Sequence, residues 1–80
     1  MKRCIHCGEI LSDELIELDG TIVDKHDHEE RILELLKSKG IEAEEGDIIY
    51  YCFNCHVLFL INFDKERVRW TDWKNFREGR

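Results

Sequence analysis

The chain has 80 residues, of which 18 are acidic, 12 basic and 42% hydrophobic, for a formal charge of −6, with four cysteines and no proline. A single domain of this size, taken as residues 1–80, buries roughly 60–65% of its unfolded surface, which leaves no room for two domains around a cleft and makes a covalent or metal staple valuable. The longest apolar runs, residues 48–53 and 57–61, fall far short of the roughly 20 residues that span a bilayer, and the clustering of apolar residues excludes a wholly disordered chain.

The first residues, Met1-Lys2-Arg3-Cys4, have no apolar segment behind them. The expectation is therefore a cytoplasmic protein without a signal peptide, with its thiols kept reduced. Residues 14–24 place two short apolar runs around Asp19-Gly20. Asp-Gly favours the positive φ angles of a two-residue type I′ turn, so this stretch predicts a hairpin. Residues 27–39 predict one helix. Asp27 is positioned to cap its start, with Glu30 three residues on, and Ile32, Leu33, Leu35 and Leu36 form an apolar stripe. Lys37 and Lys39 suit the negative end of the helix dipole, and Gly40 followed by Ile41 suits a left-handed cap closed by an apolar contact.

Residues 48–52, 57–63 and 67–70 predict an antiparallel sheet that packs against the helix. The second of these strands is apolar at both parities, so it needs a cover on both faces. The helix supplies one cover, and Trp70, Trp73 and Phe76 are the expected other. Thr71 is a candidate cap for a short final helix that carries Trp73, Phe76 and Arg77. The fold class is thus α+β: a small metal-stabilised domain with one main helix between two cysteine pairs.

Those pairs, Cys4-Ile5-His6-Cys7 and Cys52-Phe53-Asn54-Cys55, have 44 residues between them. A CxxC turn directs both sulfurs to one side, and two such turns brought together form a tetrahedral thiolate cage suited to Zn2+. Three other readings compete. Disulfides favour an oxidising compartment, a redox CxxC needs a βαβ setting and one pair only, and iron accepts the same four thiolates. His6 and His56 flank the cage, which four cysteines already fill; His26 and His28 straddle Asp27 at the helix start. No zinc-protease, phosphate-loop or nucleophile-elbow motif is present, and a closed four-thiolate site offers no open metal position, so a non-enzymatic protein is expected.

The two CxxC turns resemble those of the zinc-ribbon and rubredoxin-like family. The resemblance covers both turns and the strands around the second, about half the chain, and the matching residues are Cys4, Cys7, Cys52 and Cys55. Gly8 also matches, since a glycine commonly follows the second cysteine there. The chain departs from the pattern at His56, where that glycine is missing, and neither turn has a proline. A treble clef, in which the second pair opens a helix, is the alternative, although the β-branched and aromatic run 57–63 favours a strand. The resemblance implies a structural zinc and a binding role.

Charge is uneven along the chain. Residues 9–47 carry 14 acids and 4 bases, whereas residues 65–80 carry 6 bases and 3 acids. Lys65, Arg67, Arg69, Trp70, Trp73, Lys74, Phe76 and Arg77 interleave bases with aromatics. That pattern serves a protein interface, in which Trp and Arg are favoured anchors, or a nucleic-acid track. The expectation is a module that engages a protein partner, within a transcription, translation or other nucleoprotein assembly. Direct RNA or DNA binding and a rubredoxin-like electron carrier are the alternatives.

Overall fold

A computed structural model of the chain describes residues 3–73. Its elements in order are β1 (Leu15–Leu18), β2 (Thr21–Asp24), a 3-10 turn (Lys25–His28), α1 (Glu29–Ser38), β3 (Asp47–Cys52), β4 (Val57–Asn62) and β5 (Arg67–Asp72). Strands β1 and β2 form one antiparallel hairpin, and β3-β4-β5 form an antiparallel three-stranded sheet. The small α+β class follows directly.

The β1–β2 turn is the type expected from Asp19-Gly20, with φ of 54° and 81° at its two central residues and Leu18 opposite Thr21. The end of α1 also follows its local signals. Gly40 has φ of 84°, its amide donates to Lys37 O at 2.9 Å, and the Ile41 amide reaches back to Leu36 O at 2.9 Å. These two bonds are the Schellman closure of a helix.

The start of the helix differs from the sequence reading. α1 begins at Glu29, and its N-cap residue, His28, makes no side-chain cap bond. The capping aspartate is Asp24, whose Oδ1 accepts from the His26 amide at 2.8 Å. Asp24 ends β2 and meets the free amides first, so the chain makes a 3-10 turn over residues 25–28 before the helix proper, and Asp27 lies inside that turn.

Register divides the sheet into two faces. Ile49, Tyr51, Leu58 and Leu60 point to one side and form a core with Ile16 and Leu18 of the hairpin, Ile32 and Leu36 of α1, and Trp73. Tyr50, Cys52, Val57, Phe59 and Ile61 point to the other side, with Cys4 and Leu11 packed on them. Among the described residues the second cover is therefore the N-terminal segment, and Trp73 is not part of it. Trp73 belongs to the helix-side core, and Trp70 stays 47% exposed on the opposite face. Strand parity explains the split, because residues three apart in extended chain face opposite ways. β5 continues through Thr71 and Asp72, so Thr71 pairs with Leu58 rather than capping a helix. Lys74, Phe76 and Arg77 lie outside the described residues.

The free edge of β3 is covered twice. Ser12 exchanges two backbone bonds with Tyr51, at 2.8 and 2.9 Å, and the buried Lys25 ammonium donates to Ile49 O at 2.6 Å and lies 5.5 Å from the Tyr50 ring centre. Burial lowers the pKa of Lys25.

A candidate metal centre

Cys4 and Cys7 sit on the turn that opens the described chain, and Cys52 and Cys55 on the turn that joins β3 to β4. The two turns are built alike. The Gly8 amide donates to Cys4 O at 2.8 Å and the His56 amide to Cys52 O at 2.8 Å. Each first cysteine also receives an amide on its sulfur: His6 N to Cys4 Sγ and Cys55 N to Cys52 Sγ, both at 3.3 Å. Amides that donate to sulfur favour the thiolate.

All four sulfurs lie within 4.8 Å of one another. The closest contacts run between the turns: Cys7 Sγ to Cys52 Sγ at 3.7 Å, and Cys4 Sγ to Cys55 Sγ at 3.9 Å. A tetrahedron with metal–sulfur bonds of about 2.3 Å has edges of roughly 3.8 Å, so these donors fit a tetrahedral ion. None of the four is in a disulfide, and every strand pair among the described residues is antiparallel, so they contain no βαβ setting for a thioredoxin-like redox pair.

Crowding sets the thiol energetics. Hydrogen bonding from the Asn54 side chain, then from the Glu9 backbone, lowers Cys7 to about 7. Hydrogen bonding with Cys7, followed by burial, raises Cys55 to about 12. Burial raises Cys52. Four sulfurs in this volume cannot all ionise without a cation among them. Cys4 and Cys52 are buried, Cys55 is half-buried and Cys7 is exposed, so the centre sits at the surface on a buried base.

Neither flanking histidine joins the sulfur cluster. The His6 ring lies edge-on to Trp70 with centroids 4.6 Å apart, and 6.3 Å from Phe59. His56 Nδ1 is 3.1 Å from Glu17 Oε1 and 3.3 Å from the Tyr51 hydroxyl. Glu17 is the supporting residue that sequence reading missed. Its carboxylate meets His56, while its backbone carbonyl accepts from Trp73 Nε1 at 2.7 Å. Trp73 N in turn donates to His56 O at 3.0 Å. This network ties β1 to the second turn across 39 residues and to Trp73, at the end of β5, across 56, separations at which no sequence pattern speaks. His26 and His28 stay at the helix start, and the one group of three or more metal-donor side chains among the described residues is the cysteine cluster.

The basic residues of β5 and of the turn before it are engaged within the fold. Lys65 and Arg67 both reach Glu44, Lys65 at 2.9 Å. Arg69 donates to Asp47 at 2.7 Å and to Glu42 O at 3.0 Å. Hydrogen bonding from Lys65, then Arg67, holds the Glu44 carboxyl below the usual range. Burial raises the Asp47 carboxyl, but the Glu44 amide, Asn62 and Arg69 together outweigh it and leave it lowered. Trp73 is buried.

A cleft of about 390 Å³ opens between α1 and the start of β3, lined by Lys25, Glu29, Leu33, Ala43, Ile49 and Leu60 among others and by none of the cysteines. No described helix is long and apolar enough to cross a membrane. Comparison with protein-family models, with curated proteins and with solved structures finds no match to this chain.

Proposed function

We propose that this chain is a non-enzymatic binding module of zinc-ribbon type, in which Cys4, Cys7, Cys52 and Cys55 hold one structural Zn2+ and the remaining surface engages a protein partner. The observation that carries the reading is the meeting of two like-built CxxC turns at the sulfur spacing of a tetrahedron. When bound, the metal neutralises thiolates that otherwise repel one another, and it couples its binding free energy to folding, on the order of 10–16 kcal/mol in small zinc peptides. The chain's own part is to aim the sulfurs, to donate amides to them and to set a closed cage on the buried face of β3 and β4. Four protein thiolates leave no open position for a substrate, which supports a structural rather than a catalytic role. Thiolate ligation also fits a reducing, intracellular setting.

Elemental analysis of the untagged chain, purified without added metal, tests this. One zinc per chain in a colourless sample is expected. Visible thiolate-to-iron absorption with one iron per chain would replace the reading with an electron carrier, and a folded chain without metal would end it.

A further inference from the structure

The four sulfurs of the cage are not equally open. Cys4 and Cys52 are buried, at 3% and 0% exposure, and Cys55 is half-buried, whereas Cys7 is exposed. As metal ligands all four are thiolates, so access rather than ionisation ranks them. A small oxidant in solution meets Cys7 Sγ first. That sulfur lies 3.7 Å from Cys52 Sγ, which belongs to the other turn and is closed to solvent. An exposed thiolate beside a sheltered second thiol is the arrangement of peroxide-sensitive cysteines, in which the first reacts and the second resolves the product. We propose that Cys7 is an oxidative modification site for hydroperoxides, with Cys52 as its resolving thiol, and that oxidation exchanges the metal tie between the two turns for a Cys7–Cys52 disulfide.

The inference rests on the structural metal proposed above, and its steps balance with peroxide as the one oxidant. The Cys7 thiolate attacks an oxygen of hydrogen peroxide, the O–O bond breaks and hydroxide leaves, which gives the Cys7 sulfenic acid. The Cys52 thiolate then attacks the Cys7 sulfur, the S–O bond breaks and a second hydroxide leaves. Protons from solvent turn both hydroxides into water. The sulfur pair gives up two electrons and the peroxide takes them. A site reduced to Cys4 and Cys55 no longer encloses its ion, which is released. The sulfurs close from 3.7 Å to about 2.05 Å. The shift falls on the first turn, which lies outside both sheets. The new bond joins positions 45 apart, and closing so long a loop constrains the unfolded chain more than a bond inside either CxxC turn would. The oxidised chain therefore keeps its N-terminal cover on the sheet after the metal has gone.

Hydrogen peroxide added to the full metal-loaded chain, with metal content measured beforehand, tests the proposal. At one equivalent, with dimedone present to trap sulfenic acid, the adduct is expected on Cys7. Without dimedone, loss of the metal is expected together with a link between the tryptic peptides of residues 4–25 and 40–65 in a non-reducing digest, which fragmentation places at Cys7 and Cys52. Dithiothreitol with fresh Zn2+ should restore the metal. The oxidised chain should unfold at a higher urea concentration than the reduced chain stripped of metal by a chelator. An adduct that forms first on another cysteine, a bond within one turn or between Cys7 and Cys55, or an oxidised chain no more stable than the stripped one overturns the inference and leaves the metal centre standing. So does a chain that keeps its metal through a large excess of peroxide. A chain that holds no metal before peroxide is added fails the metal reading itself, and the inference falls with it.

Discussion

Gly8 and His56 occupy the same place in the two cysteine turns. Each follows the second cysteine, each has positive φ (82° and 58°), and each amide donates to the carbonyl of the first cysteine at 2.8 Å. The bend that frees amides for sulfur requires the left-handed region, which glycine enters without cost. A histidine there carries backbone strain of about 1–2 kcal/mol, offset by its contacts with Glu17 and Tyr51.

Two substitutions separate these terms. His56→Ala keeps the strained backbone and removes the ring, so it should be less stable than His56→Gly by about 1 kcal/mol. Urea unfolding of both, saturated with zinc, measures the difference. Equal midpoints would mean that φ at residue 56 relaxes once the ring is gone.

Metal removal should release the N-terminal cover. Residues 3–12 are held to the sheet by Cys4, Leu11 and the single bridge at Ser12–Tyr51, and are folded on themselves by the bridge at Arg3–Ile10. Without metal, the cage no longer joins residues 4 and 7 to residues 52 and 55, and the N-terminal cover loses its strongest tie to the sheet. Chelator titration of a Trp73→Phe variant, with Trp70 as sole tryptophan, should show a tryptophan emission change that tracks metal loss one to one as the His6 contact opens. Each Cys→Ser variant at positions 4, 7, 52 and 55 should shift the titration to weaker chelators. A variant that binds as tightly as the parent would remove that cysteine from the ligand set.

Asp47 links the loop after α1 to the sheet. Its carboxylate side chain is 2% exposed and is bound by the Glu44 amide at 2.8 Å, Asn62 at 3.0 Å and Arg69 at 2.7 Å. Asp47→Asn should destabilise the fold by about 2–4 kcal/mol, because it leaves the Arg69 charge without its carboxylate. The folded-state pKa of Asp47 is lowered, so its contribution is complete above the unfolded value near 3.9 and is lost only as pH falls through the folded value. The gap between parent and variant should therefore be flat from pH 5 to pH 8. A gap that shrinks within that range would place the pKa of Asp47 much higher.

Gly46 lies beneath Asn62. A β-carbon at residue 46 meets Asn62 Nδ2 at 3.2 Å, and φ there is +93°. Asn62 also bonds Glu45 O at 3.2 Å and accepts from Lys65 N at 2.9 Å, so it cannot easily retreat. Gly46→Ala should cost about 2–3 kcal/mol, read as a lower urea midpoint at unchanged slope.

What could be read from the chain were features whose cause is local. Asp19-Gly20, the Gly40-Ile41 cap and both CxxC turns each depend on a few adjacent residues, and each has the backbone form its composition dictates. Apolar residues at both parities of β4 also correctly demanded two covers. The identity of the covers was not local. Asp27 carries the local signal of a cap, yet Asp24 takes that role because it ends β2 and meets the free amides first. Trp70 and Trp73 look interchangeable until strand parity sends one to the helix-side core and leaves the other exposed. Likewise, Lys65, Arg67 and Arg69 read as a free basic strip, and only the return of the loop after α1 sets Glu44 and Asp47 against them. The sequence by itself determined the turns and the ligand spacing, because φ preferences and thiolate chemistry act within a few residues. Tertiary structure decided which face each aromatic covers and which charge each arginine meets, because those depend on segments 20 to 60 residues apart arriving at one place.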